Sequence, residues 1–360
     1  DVLDEDSLPD REAFYNDLDE THISPQQYAL AQEAWRASGC ETLYDYLRIY
    51  LKLDCNLLAD VFCKFRQVAL EEDGLDPLHF FSTPGLSWAS AQMKIADENK
   101  VDLLSDSHMY ELFESGIRGG MTFVNKKRVV ADDSPGPNHT ELLYLDVNNL
   151  YGWALSQPLP TRNFKWILDV DELQDIVDNL GNTDCNVGYF IECDLEVLCR
   201  LHDFLDQLPI GPEMKSPAGS SSCSGKVNKL MLTHEKKTHY TIHHRLLEFY
   251  KNLGVRICKV HRAVSFEETP VFKSSVDYNT AKRASSTSAF HKAYYKLKNN
   301  SLYGKCVENI RKRMDLRLVN SPQRFEAYTS KSSFKKSILI DDNLLALLMR
   351  KESIKLDRPV

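Results

Sequence analysis

The stretch TLYDYLRIYLKLDCNLLADVFCKFRQVALEE (42 to 72) repeats apolar residues at helical spacing along its whole length. That periodicity predicts one long, well-buried helix. DPLHFFSTPGLSW then breaks it, and a second helical segment leads to GIRGGMTFV (116 to 124), where paired glycines permit close backbone approach ahead of a predicted strand. SPGPNHTE (134 to 141) reads as a turn, and ELLYLDVNNLYGWALSQPLP (141 to 160) as a buried strand, LLYL, that ends at Asp146 and runs into a turn or short helix. Residues 186 to 195 and 239 to 244 are strand-like, with a low-complexity loop, PAGSSSCSG (217 to 225), between them. Residues 283 to 304 return to helix, and KKSILIDDNLLALL (335 to 348) reads as a hairpin or as a strand followed by a helix. The pattern is that of an α+β chain.

With 360 residues, 42% of them hydrophobic, the chain can build two or three domains with cores of their own. No apolar run approaches the roughly 18 residues of a membrane span, and Asp1 to Asp10 is acidic where a secretory leader would be basic and then apolar. The nine cysteines are scattered and form no C-x-x-C pair, which argues against a disulfide framework or zinc site and for reduced, intracellular thiols.

Charge is unevenly placed. The net charge is -8, yet residues 282 to 317 hold ten Lys/Arg against Glu308 and Asp315, while residues 1 to 60 hold fourteen carboxylates against four Lys/Arg. A basic segment inside an anionic chain suits a polyphosphate or nucleic acid; the plainer alternative is a solvated helix face.

Two constellations carry chemistry. Asp146 stands at the end of an apolar strand, with the Val147 carbonyl next to it, as hard-oxygen ligands of Mg2+ are placed; an aspartate before Asn-Asn is also a common turn or helix cap. In FHKAYYKLKNNSLYGK (290 to 305), Lys292, Lys296, Asn300 and Tyr303 fall at i, i+4, i+8 and i+11, one helix face. Two ammonium groups one turn apart make a rail for a triphosphate, a ring beyond them can brace a base pair, and Gly304 lets a backbone approach. Taken alone, the segment also reads as an amphipathic helix with solvated lysines.

Taken together, DVNNLYG followed some 150 residues later by K-x-x-x-N-S-x-Y-G-K resembles the first two polymerase motifs of the family B DNA polymerases, in their protein-primed branch of phages, adenoviruses, linear plasmids and Polinton or Maverick transposons. LPDREAFYNDL (8 to 18), YLKLDCNLLADVF (50 to 62), GIRGG (116 to 120), LHDFLDQLPIGPE (201 to 213) and NSLYGKCVENIRKR (300 to 313) extend the likeness over nearly the whole chain. The resemblance implies an α+β fold: the C-terminal remnant of a ribonuclease-H-like exonuclease (1–85), the first part of the palm with the first polymerase motif (86–165), an insertion like the terminal-protein region (166–270), fingers with the second motif (271–314), and a return to the palm (315–360).

The same resemblance implies residue roles. Asp146 would bridge two Mg2+ ions, replaceable by Mn2+, with the Val147 carbonyl as a further ligand. Tyr151 would lie under the incoming sugar as a steric gate, and Lys292 and Lys296 would hold the triphosphate and offset charge on the leaving pyrophosphate. Asn300, Ser301, Tyr303, Gly304 and Lys305 would meet the nascent base pair and template. Arg118, Gly119 and Gly120 match the glycine motif that holds single-stranded DNA, with Ile117 where an aromatic is more usual. Tyr50 and Asp54 match the third exonuclease motif. The implied partners are template and primer DNA, a dNTP and a terminal priming protein, with no membrane; the expected location is intracellular with the compartment left open, the nucleus being compatible with a transposon origin.

Two departures carry expectations of their own. The two earlier exonuclease motifs are not in the sequence, so proofreading is expected to be absent; nor is the Asp-Thr-Asp hairpin, so the active site is expected to be one aspartate short. Asp341 and Asp342 are a poor substitute, since neighbours on a strand point to opposite faces. HEKKTH (234 to 239) is one residue too long for a zinc-protease motif, and with His243 and His244 it reads as a solvated or core-satisfied set before a metal cluster. The competing functions are a catalytically inactive DNA-binding relic of a mobile-element polymerase and, more weakly, a metal-dependent nuclease using Asp54.

Overall fold

The computed structural model describes residues 2–95, 100–119, 121–132, 134, 136–137, 139–182, 186–216 and 228–351; Gly120, the loop expected at 217–225 and residues 352–360 lie outside the described residues. The chain divides into two compact units, Asp1–Ser82 and Thr83–Val360.

In the first unit, strands β1 (Tyr15–Asn16) and β2 (Thr21–His22) precede helices α1 (Pro25–Ala37) and α2 (Leu43–Asp73). Ser24 with Gln27, and Thr42 with Asp45, form capping boxes that satisfy backbone N–H groups left open by each first turn. At its far end α2 is closed by Gly74 at φ 65°, the left-handed conformation in which a Cβ is penalised. The long helix is therefore present, at 31 residues. Its burial is not: Leu51 is 63% and Leu58 69% exposed, and the buried residues of α2 are Leu43, Val68, Ala69 and Asp73. Periodicity specifies an apolar face, but burying it takes a second layer, and within this unit the other elements are too short to supply one.

The second unit runs α3 (Thr83–Met93), α4 (Ser107–Gly116), α5 (Leu150–Leu155), β3 (Leu159–Ile167), α6 (Val170–Asp178), β4 (Val187–Glu196), α7 (His202–Leu205), β5 (Glu213–Lys215), β6 (Lys229–Met231), β7 (Lys237–His243), α8 (His244–Asn252) and β8 (Arg256–Thr269). It continues with α9 (Lys273–Ser285), α10 (Ala289–Cys306), β9 (Asp315–Val319), α11 (Pro322–Thr329), β10 (Phe334–Asp341) and β11 (Leu344–Met349). The mixture of helix and antiparallel sheet is the expected α+β architecture.

A four-stranded antiparallel sheet, β3-β8-β4-β7, organises the middle of this unit. Strand alternation sends successive residues to opposite faces. Ile191, Cys193, Leu195 and Ala263 enter one core with Leu173 of α6 and Leu247 and Tyr250 of α8, while Val264 and Phe266 enter the other with Met109, Leu112 and Phe113 of α4. Sequence reading found β4 and β7 but not β3 or the fourteen-residue β8. A third core joins Trp88 and Ala91 of α3, Leu155 of α5, Phe272, Val276 of α9 and Leu302 of α10. The helical reading of 283 to 304 holds, carried by two helices, α9 and α10, that part at 286–288. Residues 335 to 348 form the hairpin of the two alternatives, β10 with β11, and β9 adds a third strand.

The buried strand expected at LLYL is overturned. Residues 141–147 lie outside any strand, and Leu143, Tyr144 and Leu145 are 76%, 98% and 83% exposed. A strand is completed by backbone partners on its flanks, and none of the described strands pairs with this segment. The strand expected after the GIRGG glycines is absent for the same reason.

Candidate nucleotide-binding site

Asn149 opens α5 from the left-handed region, at φ 54°, which asparagine tolerates better than most residues. The turn brings Tyr151 against α10: its ring stacks on that of Tyr303, centroids 4.2 Å apart and planes 15° from parallel. Tyr151 remains 47% exposed.

Along α10 the spacing does what helical geometry requires. Lys292, Lys296 and Asn300 are all exposed, while Tyr294, Tyr295, Lys298, Asn299, Ser301 and Leu302 are buried on the other side. Neither Lys292 nor Lys296 makes an ion pair among the described residues. Beside Gly304 an added Cβ would meet nothing within 4 Å, so the helix surface there is open.

The rest of the basic segment is far less available than its composition suggests. Lys305 and Arg313 pair with Glu308 at 2.8 and 2.6 Å, and the Arg313 contact is the main reason that the Glu308 carboxyl is pushed down to about 2. Arg311 is held by Glu114 at 2.9 Å, and Arg317 by Asp315 at 2.7 Å. Ser301 is 7% exposed. Folding thus pairs four of the ten charges with carboxylates and leaves Lys292 and Lys296 exposed.

Asp146 and Val147 lie in the exposed segment 141–147. No group of three or more metal-ligating side chains among the described residues includes Asp146, Asp341 or Asp342. The carboxylate and carbonyl oxygens are hard donors of the kind Mg2+ takes, and one carboxylate suits an ion that keeps several waters or phosphate oxygens. Tyr50 and Asp54 lie one turn apart and exposed on α2, in the other unit.

Arg118 is placed differently from a free DNA-binding arginine. Its guanidinium donates to the Thr241 carbonyl at 2.7 Å and lies 3.9 Å over the Tyr240 ring, while Ser115 Oγ meets Thr241 Oγ1 at 2.9 Å. The glycine-rich turn is therefore fastened to β7. Just before it, a Cβ on Gly116 would fall 2.2 Å from Phe190 Cζ, so glycine is needed for this approach. Thr241 and Tyr240 come from more than 120 residues away and Phe190 from 74, so they leave no local signal in the sequence.

Behind Tyr303, a cavity of about 680 Å3 is lined by Trp88, Phe113, Phe190, Phe272, Tyr303 and Cys306, among others. Burial pushes the Cys306 thiol up to about 12, so it stays protonated. Its lining also includes His243, which forms a trio with His244 and Glu268 whose ligand-type atoms lie within 4.8 Å of one another. Both imidazoles spend Nδ1 as an acceptor, from the Arg245 and Tyr189 backbone N–H groups at 3.3 and 3.1 Å. A neutral ring with Nδ1 bare carries its proton on Nε2, where a cation would need a lone pair. Nε2 of His243 faces Glu268 at 2.8 Å, and Arg245 pairs with the same carboxylate. The trio is thus engaged in hydrogen bonds and an ion pair within the protein. Burial, reinforced by His243, pushes His244 down to about 4.

The profile of the DNA polymerase type B, organellar and viral, family matches residues 10–344, and the chain belongs to that family. Solved structures similar to it include Phi29 DNA polymerase in its orthorhombic crystal form (17% identity, 92% of this chain and 46% of that one, TM-score 0.45). Another is Phi29 DNA polymerase complexed with primer-template DNA and incoming nucleotide substrates (18% identity, 94% and 47%, TM-score 0.43). The family assignment rests on the profile match alone. The chain spans less than half the length of these polymerases. No curated protein sequence is significantly similar to it.

Proposed function

We propose that this chain carries the nucleotide-binding side of a DNA polymerase active site, which extends a primer along a DNA template. The observation that supports this most is the Tyr151–Tyr303 stack, because it ties the Asp146–Tyr151 segment to the one face of α10 that keeps its lysines open. Lys292 and Lys296 hold the triphosphate of a dNTP, Tyr151 bounds its sugar, and Asn300 and Tyr303 meet the base. The primer 3'-oxygen bonds to the α-phosphorus while the bond to pyrophosphate breaks, and the lysines offset the charge that develops there. Asp146 and the Val147 carbonyl would hold Mg2+, or Mn2+ in its place, one of two ions that supply charge neutralisation.

On this reading template and primer DNA run past Gly304, Gly119 and Gly120. Ser301 and Lys305 act as supports, since one is buried and the other paired with Glu308. Arg118 orders the glycine turn through Tyr240 and Thr241. Residues 1–85, with Tyr50 and Asp54, correspond to the C-terminal part of an exonuclease domain, 86–165 and 315–360 to palm, 166–270 to the insertion that meets a terminal priming protein, and 271–314 to fingers. No described helix is long and apolar enough to cross a membrane.

The test is Mg2+-dependent extension of a primed DNA template by the purified chain, with Asp146→Asn as control, alongside equilibrium binding of Mg2+·dATP. Extension abolished by the substitution supports a complete site. Saturable dATP binding without extension supports the nucleotide-binding half alone. DNA binding without either points to the inactive relic.

A further inference from the structure

The α9–α10 hairpin contains a polar pair where packing alone would favour apolar side chains. Asn279 and Asn299 are each 3% exposed, and Asn279 Nδ2 donates to Asn299 Oδ1 at 2.8 Å across the two helices. Asn279 Oδ1 is buried without a hydrogen-bond partner among the described residues. A buried amide bonded to its neighbour and orphaned on its other side is a poor source of stability, since replacing both partners by apolar groups of similar shape is neutral or better. What such a pair does supply is uniqueness: it is satisfied in one register, and sliding the helices strands both amides.

Register matters at this place. Asn299 directly precedes Asn300 and stands two turns after Lys292 and one turn after Lys296, at the border between the buried side of the helix and its exposed lysines. A slip of one helical turn would move that face by about 5.4 Å along the helix axis. Val276 of α9 and Leu302 of α10 pack in one core and contribute apolar contact that is far less selective.

We infer that Asn279 and Asn299 are positioning residues, a register lock that sets where α10 presents its triphosphate face; the functional half of this rests on the reading proposed above. Neither amide touches the nucleotide. The lock acts through the packing of α10 against α9.

The deciding variant is the double substitution Asn279→Leu/Asn299→Leu, compared with each single change and with the parent by three measurements. Thermal unfolding is expected to show the double variant at or above the parent's midpoint and the Asn279→Leu single below it. Hydrogen exchange read by mass spectrometry is expected to change from one protected population in Lys273–Ser285 and Ala289–Cys306 to a mixture. Mg2+·dATP affinity is expected to fall tenfold or more in the double variant despite its intact stability, a split that a merely structural role would not produce. Parent-like exchange together with parent-like affinity in the double variant overturns the inference. If the parent binds no dATP, or Lys292→Ala/Lys296→Ala leaves its binding unchanged, the nucleotide reading fails instead; the exchange pattern then decides the lock by itself.

Discussion

Tyr151 and Tyr303, 152 positions apart in the sequence, face each other ring to ring with centroids 4.2 Å apart. A stacked aromatic pair contributes about 1 kcal/mol beyond the area it buries. It also fixes the distance between α5 and α10, which share no backbone hydrogen bond among the described residues. Replacing Tyr303 by Leu is therefore expected to lower stability by about 1 kcal/mol and to weaken Mg2+·dATP binding severalfold. Tyr151→Phe, which keeps the ring, is expected to leave both unchanged. Thermal unfolding and a nucleotide titration on the same preparations check this, and equal behaviour of the two variants would count against the bracket.

Because Lys292 and Lys296 are exposed and unpaired among the described residues, their ammonium groups serve no internal contact. Lys292→Ala and Lys296→Ala are each expected to cost about 1.5 kcal/mol in dATP binding, roughly tenfold, with the unfolding midpoint unmoved. Lys305→Ala is the contrast: its partner is Glu308, so the expected loss appears in stability before affinity.

Acid should loosen the second unit through His244. Its folded value is lowered from 6.5 to about 4, so between those values the unfolded chain binds a proton that the folded chain refuses. The stabilisation is complete above about pH 6.5 and is lost as the pH falls toward 4, about 3 kcal/mol in all. Glu308, lowered to about 2 from 4.5, adds a further loss below about pH 4.5. Urea unfolding between pH 7.5 and 4.5, followed for the parent and for His244→Gln, is expected to show a slope in the parent that the variant flattens.

At Gly116 the constraint is steric. Gly116→Ala would drive a methyl into the Phe190 ring, which is stacked on Phe113 with centroids 4.8 Å apart. The expected cost is about 1–3 kcal/mol, and Phe190→Leu in the same chain is expected to recover part of it. Additive losses in the double variant, read by chemical unfolding, would show that the clash is not the cause.

The sequence by itself determined the local periodicities and the chemistry they carry. Helical spacing made α2 and the Lys292, Lys296, Asn300 face legible, because i, i+4 and i+8 share a side of any helix whatever surrounds it. Alternation likewise announced β4 and β7, and two spaced motifs indicated the family. Burial was not legible, and here the tertiary structure overruled the pattern: most apolar residues of α2 and those of LLYL stay exposed because burial depends on a second layer or flanking strand that no local pattern encodes. Charge was not legible either, since Lys305, Arg311, Arg313 and Arg317 looked like free positive charge until Glu308, Glu114 and Asp315 were seen beside them. The clamp of Arg118 on Thr241 and the amide pair of Asn279 and Asn299 were decided by the same kind of long-range meeting. A sequence states what each side chain can do, and only the packed chain decides which partner reaches it first.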